Sequence, residues 1–106
     1  MANRVFFLTT LKAGKDPDEY DRFLRDVDYP STSSLLPVTS YRATRIEGRV
    51  LSSGASEYQY IDVIDVEDIE RYRAALLNPT VEVRRLLEQV ESWIADATDL
   101  YGSQIL

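Results

Sequence analysis

Two carboxylates have neighbours that fit acid–base chemistry. Asp28 lies in Arg25-Asp26-Val27-Asp28-Tyr29-Pro30, where an amphipathic helix runs into a proline. A carboxylate at a helix C-terminus faces the negative end of the helix dipole. Burial there raises its pKa further, which suits a general acid or base. The competing reading is a solvated turn residue that caps the following turn. Tyr29 either orients a ligand through its hydroxyl or packs its ring and leaves the oxygen in water. Asp62 lies in the alternating stretch 58–66, YQYIDVIDV. Strand periodicity puts Tyr58, Tyr60 and Asp62 on one face and Ile61 and Val63 on the other. If Ile61 and Val63 face the helices, the trio points into the space between two sheets. There two phenols and a carboxylate would bind and polarise an oxygenated ring, with Asp62 moving a proton. The alternative is a polar outer face or a set of dimer contacts. Arg42 and Arg45 fall on opposite faces of one strand, so one can reach a cavity and stabilise an enolate or carboxylate. Arg42 is preferred, because Ser40, Arg42 and Thr44 form the more polar face. Phe6, on the second face of the first strand, is a candidate apolar contact for the ligand.

The rest of the composition narrows the chemistry. The chain has no histidine and no cysteine. This excludes disulfides, thiolate metal sites, cysteine nucleophiles and the commonest general base. The serines at 31–34 lack a histidine partner for a triad. No metal site is expected, since no D-x-D-x-D-G loop is present, and the absence of a glycine-rich phosphate loop also leaves no cofactor expected. The 106 residues carry a formal net charge of -6. Such a chain repels phosphate backbones and anionic lipid, so neither nucleic acid nor membrane is an expected partner. No apolar run approaches the ~18 residues of a membrane span. The first strand starts by residue 4, so no signal peptide is expected and the protein reads as soluble and cytoplasmic.

The elements that must position these groups follow from periodicity. Residues 4–11 read as a strand that is apolar on both sides, with Val5, Phe7 and Leu11 opposite Phe6 and Leu8. Asp16-Pro17-Asp18-Glu19 combines an N-cap, a proline at the first helical position and a capping-box acid. Tyr20, Phe23, Leu24 and Val27 continue this helix, which Pro30 is expected to end or kink near Asp28-Tyr29. Residues 38–47 and 58–66 read as strands joined by a loop over 49–57. A second helix runs from about Asp68 to Leu77. Asn78-Pro79 breaks it and caps a third helix that carries Val83, Leu86, Leu87, Val90, Trp93, Ile94 and Ala97 to about residue 97. Residues 98–106 read as a closing strand. The order β-α-β-β-α-β implies an α+β ferredoxin-like sandwich in a single domain. A strand apolar on both faces needs both covered, and a second copy of the sheet does this with the fewest elements. A homodimer is therefore expected.

Short chains of this pattern resemble the dimeric α+β barrel superfamily, in which two sheets face each other. The stretch 20–46, YDRFLRDVDYPSTSSLLPVTSYRATRI, is similar to the REDY-like HapK family of pigment biosynthesis, and so is YQYIDVIDVEDIERYR at 58–73. Leu24 to Pro30 also resembles the W-x-x-x-H-x-P helix end of EthD-like barrel proteins, with Asp28 in the place of the histidine. Polyketide-cyclase relatives carry a His-Pro-x-His stretch where this chain has Asn78-Pro79-Thr80-Val81. Haem-degrading relatives need a ligating histidine that is missing here. The resemblance implies a cofactor-independent enzyme of isomerase, cyclase or lyase type. It would act on a small apolar, aromatic or polyketide-like molecule through Asp28 or Asp62, with Tyr58, Tyr60 and Arg42 on the substrate oxygen. A non-catalytic accessory or ligand-binding role in a prodigiosin-like pathway is the alternative it allows.

Overall fold

The computed structural model describes residues 2–106. Strand β1 (Asn3–Leu11) is followed by a helical run in three parts: α1 (Pro17–Phe23), a π-helical segment (Leu24–Asp28) and α2 (Tyr29–Leu35). Strands β2 (Ser40–Arg45) and β3 (Tyr60–Val66) come next, then α3 (Ile69–Leu77), α4 (Val81–Glu91) and β4 (Ile94–Gly102). The sheet is antiparallel throughout its adjacent pairs, in the order β2-β3-β1-β4. This is the expected ferredoxin-like α+β arrangement, with each helical crossover joining two parallel, non-adjacent strands.

Asp16 caps α1 by accepting from the Asp18 amide at 2.9 Å, with Pro17 in the first turn. Pro30 does not end the helix. The turn before it widens: the Tyr29 amide donates to the Leu24 carbonyl, five residues back. A wide turn gives the proline ring room against the preceding carbonyls and tolerates its missing N–H. The helix then continues through the serines at 31–34 as far as Leu35. Asp68 caps α3 by accepting from the Glu70 and Arg71 amides. The cap of α4 is Thr80, not Asn78. This last helix also stops short of residue 97. The Ser92 hydroxyl donates to the Gln89 carbonyl at 2.6 Å, and from Ile94 the chain pairs with β1. Leu11 opposes Ile94 while Thr10 opposes Asp96, so Ala95 is an extra, bulged residue. The bulge places Ile94 and Ala97, three apart, on one face of the strand.

Register assigns the two faces of the sheet. Val5, Phe7, Thr9 and Leu11 share a face with Tyr60, Asp62, Ile64 and Val66, and the helices cover it. One buried cluster joins Val5, Leu36, Tyr41, Ile64, Val66, Tyr72 and Val83. A second joins Leu11, Tyr20, Leu24 and Tyr60, with Trp93 against it. The opposite face carries Phe6, Leu8, Ile61 and Val63, and among the described residues none on it is buried. The Thr80 cap gives a simple check on the boundary of α4. Its hydroxyl accepts from the Val83 amide at 3.2 Å. Thr80→Ala should cost about 1 kcal/mol, read as a lower urea midpoint at unchanged slope.

Candidate active site

Between the two core clusters the helical layer stands off the sheet and leaves a cavity of about 260 Å³. Its walls include Phe7 and Ile64 from the sheet, Tyr20 and Leu36 from the first helical run, and Tyr72 and Leu86 from α3 and α4. Ile94 and Ala97, brought together by the bulge, close the end beside β4. Besides the phenols and the exposed Glu91, four polar side chains reach it from different elements: Thr9, Asp28, Thr32 and Asp62. All four are buried, Asp28 at 7% exposure and Asp62 at 8%.

The two aspartates are held differently. Asp28 leaves the π-helical turn towards the sheet and accepts two hydrogen bonds. Tyr41 on β2 donates its hydroxyl to Oδ2 at 2.5 Å, and Thr32, one turn further along α2, donates to Oδ1 at 3.1 Å. Burial raises the pKa of Asp28, and the two donors oppose that rise by favouring the ionised form. Asp62 has no such support. Its Oδ1 is buried without a hydrogen-bond partner, and so is the Oγ1 of Thr9. Burial, and then the charge of Asp28, push Asp62 up to about 7. The donors favour the charge on Asp28 and none does so on Asp62, so Asp62 is the member of the pair that more readily holds a proton. Burial raises the phenols of Tyr20, Tyr41 and Tyr72 as well, with the charges of both aspartates adding to the rise. They stay protonated around the pair.

The remaining candidates are dispersed. Tyr60 shares the inner face with Asp62, but its hydroxyl donates to Asp21 Oδ1 at 2.5 Å and points towards α1. It lines a separate open depression of about 350 Å³ with Tyr29, Tyr41, Arg25 and Arg45. Tyr29 is 53% exposed there and packs its ring 5.9 Å from that of Tyr41. The expectation that Ile61 and Val63 face the helices is reversed. They lie on the uncovered side, so Asp62 and Tyr60 point under the helices rather than into a space between sheets. Tyr58 precedes β3 and places its hydroxyl 2.9 Å from that of Thr98, beyond the cavity walls. Arg42 opposes Val63 on the uncovered face and pairs with Asp65 at 3.9 Å. Arg45 is the inward arginine of β2, bound to Asp18 at 2.8 Å and Asp21 at 3.1 Å. Phe6 also lies on the uncovered face. Among the described residues no group of three or more acidic, histidine or cysteine side chains is placed to hold a metal.

Four polar contributors escape a reading of the sequence: Thr9, Thr32, Tyr41 and Tyr72. Thr32 is four residues after Asp28, a helical spacing that becomes visible only if the helix passes Pro30. Thr9 is the one hydroxyl on the inner face of β1, between Phe7 and Leu11. Tyr41 and Tyr72 read as ordinary core aromatics, and nothing local marks them.

Residues 3–105 match the family model described as REDY-like protein HapK. No curated protein matches the chain. Among solved structures it is similar to HapK from Hahella chejuensis, with 19% identity, 97% of this chain and 92% of that one covered, and a TM-score of 0.76. It is similar to a dimeric ferredoxin-like protein of unknown function from Thermobifida fusca, with 16% identity, coverage of 98% and 92%, and a TM-score of 0.69. It is also similar to the hydroxynitrile lyase of Passiflora edulis, with 9% identity, coverage of 95% and 91%, and a TM-score of 0.73. At these identities the structural likeness is one of fold.

The raised pKa of Asp62 has a thermodynamic sign. Between about pH 4 and pH 7 the folded chain keeps a proton that the unfolded chain has lost, so raising the pH through this window favours unfolding. Wild-type stability should fall across it. Asp62→Asn should flatten that fall and gain on the order of 3 kcal/mol over wild type between pH 4 and pH 8. Urea midpoints at the two pH values measure this, and equal slopes in the two proteins would refute the assignment.

Proposed function

The chain belongs to the REDY-like HapK family, and from that premise we propose that it is a cofactor-independent enzyme moving a proton on a small, apolar, aromatic ketone- or phenol-like molecule. One observation carries the reading. Asp62, pushed up to about 7, keeps an unpartnered oxygen inside a mostly apolar cavity beside a second, hydrogen-bonded carboxylate. A structural carboxylate would be paired, because an unmet buried acceptor costs about 1–3 kcal/mol.

The register suggests how a substrate would sit. Thr9 opposes Tyr60 and Phe7 opposes Asp62, so Thr9 and Asp62 are diagonal neighbours on one face, roughly 7–8 Å apart along the backbone. That spacing takes a carbonyl and its α-carbon. The Thr9 hydroxyl donates to the carbonyl oxygen while Asp62 removes the α-proton. The negative charge that develops on oxygen is met by the Thr9 donor. Protonated Asp62 then returns the proton to carbon, to a leaving oxygen or to the alkoxide formed on ring closure, which covers isomerisation, dehydration and aldol-type cyclisation. In retro-aldol cleavage Asp62 would instead take the β-hydroxyl proton, the Cα–Cβ bond would break to the enolate, and the proton would return to the α-carbon. Asp28 stays ionised between Tyr41 and Thr32 and holds Asp62 in its useful range. The hydroxynitrile lyase of similar fold supports small-molecule catalysis on this architecture.

We also propose that the protein is a homodimer. The uncovered sheet face presents Phe6, Leu8, Ile61 and Val63 beside the Arg4–Asp65 ion pair at 2.7 Å. A second copy would bury this face, and the related Thermobifida protein is dimeric.

Deuterium uptake at the α-carbon of α-tetralone, followed by NMR, tests the chemistry. Wild type should accelerate uptake, with a rate that rises through about pH 7 and levels above it, since the base is the ionised form. Asp62→Asn should lose at least about 100-fold. Binding of the ketone without exchange would instead identify a ligand carrier. Val63→Arg should convert a dimer to a monomer by light scattering, and a monomeric wild type would refute that interface.

A further inference from the structure

We propose that the ligand site continues out of the cavity into the groove between α3 and β4, and that this groove takes the apolar tail of an elongated ligand whose oxygenated head lies at Asp62. The inference rests on the catalytic reading for the head and adds the shape and class of the rest of the molecule. A groove of about 240 Å³ lies beside the cavity, and Phe7, Tyr72 and Leu76 belong to the walls of both. The shared boundary is therefore apolar and aromatic. Further out the groove is lined by Leu77 and Tyr101, which are 71% and 53% exposed, while Leu100 opposes Phe6 and turns its side chain to the uncovered face. Two large, exposed side chains continuing the apolar wall of Phe7 and Leu76 favour an apolar occupant.

The polar groups of the groove do not compete for that occupant. Arg73 lies over the ring of Tyr101 at 5.4 Å and donates to Glu70 at 2.6 Å, so its charge is already met. Asp99 marks the direction. It opposes Phe7 from β4 as Asp62 opposes it from β3, so the two carboxylates lie in one row on either side of the Phe7 ring. Two strand spacings separate them, roughly 10 Å. A ligand with its head at Asp62 runs across Phe7 and leaves beside Asp99. The other neighbouring hollow, the depression at Arg45, shares only Tyr41 with the cavity. Tyr41 is buried and its hydroxyl is fixed on Asp28, so it is a closed wall rather than a passage.

Calorimetric titration with phenol, para-butylphenol and para-octylphenol tests the groove. Wild-type affinity should rise roughly fourfold for each added methylene until the groove is filled. Leu77→Glu and Tyr101→Ala, made separately at exposed positions outside the cavity, should leave phenol affinity unchanged. Each should lower octylphenol affinity at least tenfold. Phenol binding with no gain from the octyl tail, or a gain that survives both substitutions, would overturn the groove and leave the head site standing. If none of the three phenols binds, the head site and the groove fall together. Tail density along Phe7 and Leu76 in an octylphenol complex would support the assignment, and density passing Tyr41 would refute it.

Discussion

Asp28 is where the helical layer is fastened to the sheet. Its carboxylate accepts from Thr32 on its own helical run and from Tyr41 on β2. This ties the π-helical turn to the next strand in the chain and sets the height of the helices above Asp62. The contact is costly, because a carboxylate in the middle of the helical run is desolvated without a cation to meet it. Two hydroxyl donors offset part of that cost, and the remainder appears as the raised pKa values of both aspartates. A charge held at Asp28 discourages a second charge nearby, so Asp62 retains a proton that it would otherwise lose at neutral pH.

The cavity results from the same attachment. Two clusters fill the ends of the interface, one built on Val66 and Val83 and the other on Tyr20, Tyr60 and Leu24. The aromatic contacts of the second, such as Tyr20 edge-on to Tyr60 at 4.7 Å, leave it little freedom to collapse inward. Asp28 and Asp62 lie between them, where an apolar chain would have closed the gap. The π-helical turn and the bulge at Ala95 are the two irregularities of the backbone that shape the site. Each re-aims a side chain at the cavity: Asp28 from above, Ile94 from the side.

Much of this architecture is legible in the order of residues. Asp16 announces its helix by cap chemistry and caps as expected, and the second helix starts at about Asp68 as read, with that residue as its cap. The double-sided hydrophobicity of β1 correctly marks a sheet with one face left uncovered by helices. The departures have local causes. Pro30 is normally a stop, but the wide turn before it removes the clash that would make it one. The apolar spacing of α4 continues through Trp93 and Ile94 as though helical, yet Ser92 closes the helix and pairing with β1 claims the chain from Ile94 onwards. Arg42 looks the better inward arginine than Arg45 because its face is more polar, and that polarity marks the side away from the helices.

Within the regular part of each strand the sequence by itself determined which residues share a face, since a period of two allows only one partition; Tyr58, which precedes β3, and the bulged start of β4 escape it. It also removed histidine and thiol chemistry and left carboxylates and phenols to do any work. It did not determine which face the helices cover, because both faces of β1 and β3 carry apolar residues and alternation is silent on their sign. Only the tertiary structure decided that. Once the crossovers place every helix on the side of Val5 and Ile64, Asp62 goes under them and Arg42 and Phe6 fall outside, while Tyr58, ahead of β3, leaves the face that alternation assigns it. The meeting of Asp28 with Asp62 depends on a helix turn and a strand 34 positions apart in the chain. No local pattern records a contact of that kind, because it arises from how the layers pack.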